Sequence, residues 1–273
     1  MKIPSLLFLS VWFYDFSTQI TQKPIDITHE RRAAPVFQAI LDSAQVRGSI
    51  LIYDLKRDIY HSNDFERAET AFIPASTFKI PNSLIALETE VIKDEYFIFE
   101  WDGIERSVEN WNQDLTFKQA FHYSCVPCFQ RIADQVGAER MQKYVESLKF
   151  GQMEVTQESL TTFWLMGDSE ISSLEQIAFL KRLYSGELPI SKRTEEIAKR
   201  MMVSEAGDHY SMISKTGWSS NGILWYVGYL EMGDEAYFFA TNLDHRVGMD
   251  LGVRIHATKQ ALHIIAGLPY IKS

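Results

Sequence analysis

The two ends of this chain carry strand patterns and its middle carries helical ones, and that order restricts the fold more than any other feature. Near the C-terminus, Tyr210 to Lys215, Leu224 to Glu231 and Ala236 to Asn242 are aromatic-rich runs with period-two alternation, the mark of half-buried strands. A segment with helical spacing, Leu251 to Ala266, closes them. Far upstream, Gly48 to Leu55 is an apolar β-rich run, and Asp58 to His61 pairs with it as a hairpin through Lys56-Arg57. Before that run, Arg31 to Gln45 carries Val36, Phe37, Ile40 and Leu41 at helical spacing. Between the strand-rich ends lie helical segments at Ile80–Leu87, Leu115–Tyr123, Phe129–Val136, Met141–Leu148, Gln176–Tyr184 and Glu195–Met202. Ser172, followed three residues later by Glu175, writes a capping box before one of them. The expected class is α+β (mixed α/β): an antiparallel sheet flanked by N- and C-terminal helices, with an inserted all-helical lobe. The sheet lobe takes 31–75 and 205–273, and the helical lobe takes about 76–204. There are no repeats, low-complexity tracts or linkers, and 273 residues with 46% hydrophobic content suit one domain with a sizeable core.

Charge and composition exclude several functions. A net charge of −9 with no basic run argues against nucleic acid as a partner. The seven histidines are scattered and form no metal-ligand pattern, so no metal is expected. Met1-Lys2 followed by a nearly unbroken apolar run, Ile3 to Tyr14, suits the h-region of a signal peptide over residues 1–21, with a poorly defined cleavage site. The competing reading is a buried N-terminal segment. A signal peptide implies a periplasmic or secreted bacterial protein whose remaining chain, 22–273, is a single domain. No later stretch reaches the roughly 18 apolar residues that a membrane helix needs, so no membrane partner is expected. The two cysteines, Cys125 and Cys128, are read as small buried hydrophobes, with thioredoxin-like redox chemistry as the alternative.

Three short motifs carry the chemistry. Ser76-Thr77-Phe78-Lys79 opens a helical run; residues three apart there share a face, so a hydroxyl and an amine can exchange a proton. A serine hydroxyl is a poor nucleophile until a base takes its proton, which makes Ser76 the candidate nucleophile and Lys79 its candidate base. Alone, the pattern reads more readily as a helix cap and a solvated lysine. Ser124-Cys125-Val126 stands at a helix–helix junction, and Lys215-Thr216-Gly217 on a candidate strand.

In this order the motifs resemble those of the penicillin-recognising serine enzymes, Ser-x-x-Lys, Ser-x-(Asn/Val) and Lys-(Thr/Ser)-Gly. Valine in the second motif is similar to the class D, oxacillin-hydrolysing β-lactamases. Phe99-Glu100-Trp101-Asp102-Gly103, Phe163-Trp164-Leu165 and Trp225-Tyr226-Val227-Gly228 extend the resemblance over nearly the whole chain after residue 34. It implies a β-lactamase/transpeptidase-like fold and a small-molecule β-lactam substrate, hydrolysed through an acyl-enzyme on Ser76 by a monomer or homodimer. The oxyanion would lie between the backbone N–H groups of Ser76 and Trp218, with Gly217 leaving room for substrate along the strand edge. The resemblance further implies that Lys79 is N-carboxylated by CO2 and serves both half-reactions, with no other cofactor. Burial favours the neutral amine that carbamylation requires, which fits an apolar Val126. By the same resemblance Phe129, Trp164 and Leu165 wall the pocket, and the Trp164 indole N–H holds the carbamate. Ser124 would relay a proton to the leaving nitrogen, and Lys215 would supply positive potential. Thr216 and Arg254 would bind the substrate carboxylate, with Arg246 as the competing arginine. Where the family has Tyr-Gly-Asn, this chain has Phe150-Gly151-Gln152, which points to altered loop packing. Two readings compete with the enzyme: a β-lactam sensor that acylates without turnover, and a peptidoglycan transpeptidase or carboxypeptidase, which would carry asparagine in place of Val126.

Overall fold

The computed structural model describes residues 29–267, so the expected signal peptide lies outside the described residues. In chain order the elements are β1 (Glu30–Ala33), α1 (Pro35–Ser43), β2 (Gly48–Asp54), β3 (Ile59–Ser62), α2 (Phe65–Glu69), β4 (Ala71–Phe72), a 3-10 turn (Ala75–Phe78) and α3 (Lys79–Glu88). Then follow β5 (Ile98–Phe99), a second 3-10 turn (Glu109–Trp111), β6 (Leu115–Thr116), α4 (Phe117–His122), α5 (Val126–Val136), α6 (Ala138–Leu148) and β7 (Ile171–Ser172). The chain continues with α7 (Ser173–Ser185), α8 (Lys192–Met202), β8 (Val203–Gly207), β9 (Tyr210–Trp218), β10 (Ile223–Met232), β11 (Glu235–Asp244) and α9 (Val253–Ala266).

Seven strands form one sheet in the order β1-β3-β2-β11-β10-β9-β8. All neighbours are antiparallel except the edge pair β1 and β3. The sheet therefore joins β2 and β3 to the C-terminal meander through β11, as the strand-rich ends predict. Successive residues of β2 point to opposite faces. Ile50 and Ile52 pack with Phe37 and Leu41 of α1 and with Ala257, Ala261 and Leu262 of α9. Leu51 and Tyr53 pack on the other face, in the large core shared with Ile177 and Leu180 of α7 and with the helices of the chain's middle. The class is α+β, as expected.

Several boundaries differ from the sequence expectation for identifiable reasons. Arg31 to Ala33 are strand, and the first helix begins at Pro35. Proline is favourable at a helix start, while the residue before it is pushed away from helical geometry. Leu115 and Thr116 pair with Phe99 and Ile98, and Thr116 builds a capping box with Gln119, which starts α4 at Phe117. The expected capping box of Ser172 and Glu175 is present at the start of α7. α2 and β8 escape periodicity: the first has five residues and is capped by Asp64, the second is mostly exposed. Cys125 and Cys128 are buried as expected, but they are joined in a disulfide with Cα atoms 5.4 Å apart. Treating them as separate hydrophobes is therefore corrected; an i, i+3 pair at a helix start is close enough to bridge.

Candidate active site

The turn Ala75–Phe78 and the start of α3 bring the first motif together. Ala75 has φ 49°, a left-handed conformation unfavourable for a residue with a Cβ, and it delivers Ser76 to the head of the helix. The turn is held from several sides. Gln176 Nε2 donates to Thr77 Oγ1 at 2.8 Å, and Trp225 Nε1 donates to Ile73 O at 2.9 Å. β9 closes over it: a Cβ on Gly217 would stand 3.1 Å from Trp225 Cβ, 3.2 Å from Thr77 Cγ2 and 3.3 Å from Pro74 O. The missing side chain at Gly217 thus lets the sheet approach the nucleophile's turn.

Lys79 Nζ lies 2.9 Å from Ser76 Oγ. Lys79 is fully buried, its amine 5.2 Å from the centre of the Phe129 ring, and it forms no ion pair with an acid among the described residues. Burial disfavours the ammonium and pushes its pKa down to about 7. Phe78 stacks on Trp164 at 5.5 Å, and the buried Trp164 Nε1 has no hydrogen-bond partner among the described residues. Leu165, half-buried, packs against the same core.

The second and third motifs meet each other. Ser124 is also left-handed, at φ 53°, between α4 and α5. This turn aims its hydroxyl at Lys215 Nζ, with which it is hydrogen-bonded; the same ammonium donates to Thr216 O at 3.0 Å. Burial first, then the charges of Lys79 and Arg254, hold the Lys215 pKa well below that of an ordinary lysine. Val126 is half-buried as the first residue of α5. β8 pairs with β9 only as far as Ile213, so one edge of Ser214 to Trp218 is left without a strand among the described residues. Trp218 ends that edge, 53% exposed and packed against His245 with ring centres 5.3 Å apart.

The two competing arginines are in different situations. Arg254, near the start of α9, is buried, and its Nε and Nη1 lack partners. Burial draws its pKa down to about 10, partly offset by Asp250, so it keeps its charge at neutral pH. Arg246 is exposed and hydrogen-bonds the Gln45 carbonyl. Arg254 therefore lies close enough to Lys215 for its charge to act there, whereas Arg246 is committed to Gln45. Lys79, Lys215 and Arg254 form a buried basic cluster with no ion pair to an acid among the described residues. Such a cluster is incomplete without anions. No group of metal ligands is present among the described residues.

The Phe150 substitution fits its surroundings. Phe150 is fully buried and packs edge-on against Phe78 at 5.9 Å and Phe179 at 4.9 Å. Sequence reasoning missed Gln176, whose amide ties α7 to the nucleophile's turn; only its burial on a helix otherwise read as structural reveals it.

Comparison with known proteins agrees with this geometry. Residues 45–263 match the penicillin binding protein transpeptidase domain. The chain is 40% identical to the β-lactamase OXA-48 of Klebsiella pneumoniae over 219 residues, which cover 79% of this chain and 82% of that protein. It is 45% identical to OXA-10 of Pseudomonas aeruginosa over 189 residues, covering 67% and 71%. The solved class D β-lactamase YbXI from Nostoc superposes with a TM-score of 0.82 at 40% identity, covering 84% of this chain and 98% of that one. This chain belongs to the class D serine β-lactamases.

Proposed function

We propose that the protein hydrolyses the β-lactam amide through an acyl-enzyme on Ser76, with an N-carboxylated Lys79 as the base. The observation that carries this reading is the pairing of a buried, acid-free Lys79 with an orphaned, buried Trp164 Nε1. A buried indole N–H without a partner is uncommon, because it forfeits a hydrogen bond worth about 1 kcal/mol net and carries a desolvation penalty. A carboxylate on Lys79 Nζ would supply an acceptor in this pocket and an anion for the basic cluster. Carbamylation needs a neutral amine, and a pKa near 7 provides a large neutral fraction at physiological pH. When present, that carboxylate supplies the base that takes a proton from Ser76 and later from water.

The protein's own groups supply the remainder. Ser76 Oγ bonds to the β-lactam carbonyl carbon, and the backbone N–H groups of Ser76 and Trp218 stabilise the oxyanion. The carbon–nitrogen bond then breaks as the Ser124 hydroxyl relays to the nitrogen the proton that left Ser76, which frees the base again for water, and Lys215, hydrogen-bonded to Ser124, stabilises the charge that develops during the relay. Arg254 and Thr216 bind the substrate carboxylate, the arginine with the donors it leaves free in the protein. Val126, Phe129 and Leu165 keep the base in apolar surroundings. A buried disulfide suits an oxidising compartment, which supports action in the periplasm or outside the cell.

The test is hydrolysis of a chromogenic cephalosporin with and without bicarbonate, combined with intact-protein mass spectrometry. Sustained turnover that rises with bicarbonate, with an adduct lost in Ser76→Ala, is the expected result. A single stoichiometric burst without turnover would leave a β-lactam sensor in place of an enzyme.

A further inference from the structure

The Cys125–Cys128 disulfide lies at a point where the proposed mechanism requires precision. Ser124 N donates to Phe121 O and Cys125 N to Ala120 O, which closes the end of α4. Cys128 N then donates to Cys125 Sγ at 3.2 Å, so the same cysteine caps α5. The disulfide thus ties together the first turn of α5, immediately after Ser124. Ser124 is the left-handed residue between these two helices, and a non-glycine residue keeps that conformation only where its surroundings impose it. The bridge closes a four-residue loop, and the chain-entropy gain from a disulfide is smallest for the shortest loops. Its effect is therefore local, and the local group is the Ser124 hydroxyl on Lys215 Nζ.

We propose that the Cys125–Cys128 disulfide is a positioning element for acylation: it fixes the α4–α5 junction so that the Ser124 hydroxyl stays aimed at the leaving nitrogen. The proposal rests on the proton-relay role given to Ser124 above. Opening the bridge takes two electrons and two protons from an added phosphine or dithiol and yields two thiols. The Ser124 turn is then free to relax toward the commoner right-handed backbone.

Five samples test this at saturating bicarbonate: the oxidised protein, the protein reduced with a phosphine until thiol titration shows two free thiols, Cys125→Ala/Cys128→Ala, Ser124→Ala, and Ser124→Ala combined with both cysteine changes. Acylation and deacylation of a chromogenic cephalosporin are timed separately by quenched-flow mass spectrometry. Reduction and the double variant should each slow acylation about tenfold, part of the 10²–10⁴ that a positioned proton donor supplies. Deacylation should change less than twofold. In the Ser124→Ala background, loss of the cysteines should cause no further slowing, an outcome that a purely structural role would not give. Unchanged acylation in both bridge-free samples, or an equal fall in both steps, overturns the proposal. An oxidised protein that forms no acyl-enzyme overturns the reading of the site itself, and this proposal with it.

Discussion

Replacing Lys79 by methionine should make the protein inactive and more stable, by an amount that the structure sets. The Lys79 side chain is fully buried without an acidic partner, and burial pushes its pKa from 10.5 down to about 7. Between those two values the unfolded chain holds a proton that the folded chain lacks, so stability rises with pH across about pH 7 to 10.5. Below about pH 7 both states are protonated, and the full penalty of some 3.5 pKa steps applies. At 1.36 kcal/mol per step, about 4 kcal/mol of this remains at pH 7.5. Methionine keeps the length and apolar stem, removes the penalty, and loses one hydrogen bond to Ser76 worth about 1 kcal/mol. The net gain is about 3 kcal/mol, or roughly 6–12 °C in Tm for a domain of this size. The assay is thermal and urea unfolding of both proteins from pH 6 to 9.5 in bicarbonate-free buffer, then with bicarbonate. The variant should be the more stable at pH 7.5, and the gap should narrow as pH rises. Bicarbonate should stabilise only the wild type, by binding the folded amine. A variant with equal or lower Tm, or a gap that does not change with pH, would refute the claim that an unpaired buried amine is held here at a cost.

Trp164→Phe keeps the ring stacked on Phe78 but removes the unpartnered N–H, so deacylation should slow more than acylation and the bicarbonate needed for half-maximal activity should rise. Gly217→Ala places a methyl group 3.1–3.3 Å from Trp225, Thr77 and the Pro74 carbonyl; it should destabilise the protein by about 1–3 kcal/mol and slow Ser76 acylation, as read by urea midpoint and burst rate. Arg254→Ala should raise KM about 10- to 100-fold, the worth of charge-assisted hydrogen bonds, whereas Arg246→Ala should leave KM within twofold because that side chain is committed to Gln45 O.

Side-chain periodicity made the sheet and most helices legible. The alternation of Ile50 and Ile52 against Leu51 and Tyr53 registers directly in which core each residue enters. The capping box at Ser172 and Glu175 was equally direct, since two side chains must meet two particular backbone groups. Elements fixed by partners distant in sequence were not legible. β1 exists because it lies beside β3, and β8 because it lies beside β9; neither carries an apolar pattern of its own. The left-handed turns at Ala75 and Ser124 carry no glycine or asparagine that would announce them. The Cys125–Cys128 bridge was hidden for a related reason: the spacing allows a bond, but only the geometry of the α4–α5 junction decides whether one forms.

The candidate site was visible as motifs, but the reason for its composition emerges from what the fold leaves unsatisfied. Several buried polar groups near the site find partners: Gln176 Nε2 meets Thr77, Trp225 Nε1 meets Ile73 O, and Thr241 meets Thr258. Among the described residues Trp164 Nε1 and two of the Arg254 nitrogens belong to the buried atoms without a partner, together with acceptors such as Asn82 Oδ1 and Gln176 Oε1, and the buried Lys79 and Lys215 have no ion pair to an acid. The indole, the arginine and the lysines are donors or cations, and what these four lack is negative charge and lone pairs. A β-lactam brings a carboxylate and, during its opening, an oxyanion; the proposed carbamate on Lys79 would bring the third anion. Under the proposed mechanism an apolar Val126 would help keep the amine neutral, whereas a polar residue there would favour the ammonium. Val126→Asn should therefore raise the Lys79 pKa, reduce the neutral fraction available to CO2, and move the acid limb of the pH–rate profile to higher pH. An unshifted limb would sever the link between the second motif and the base.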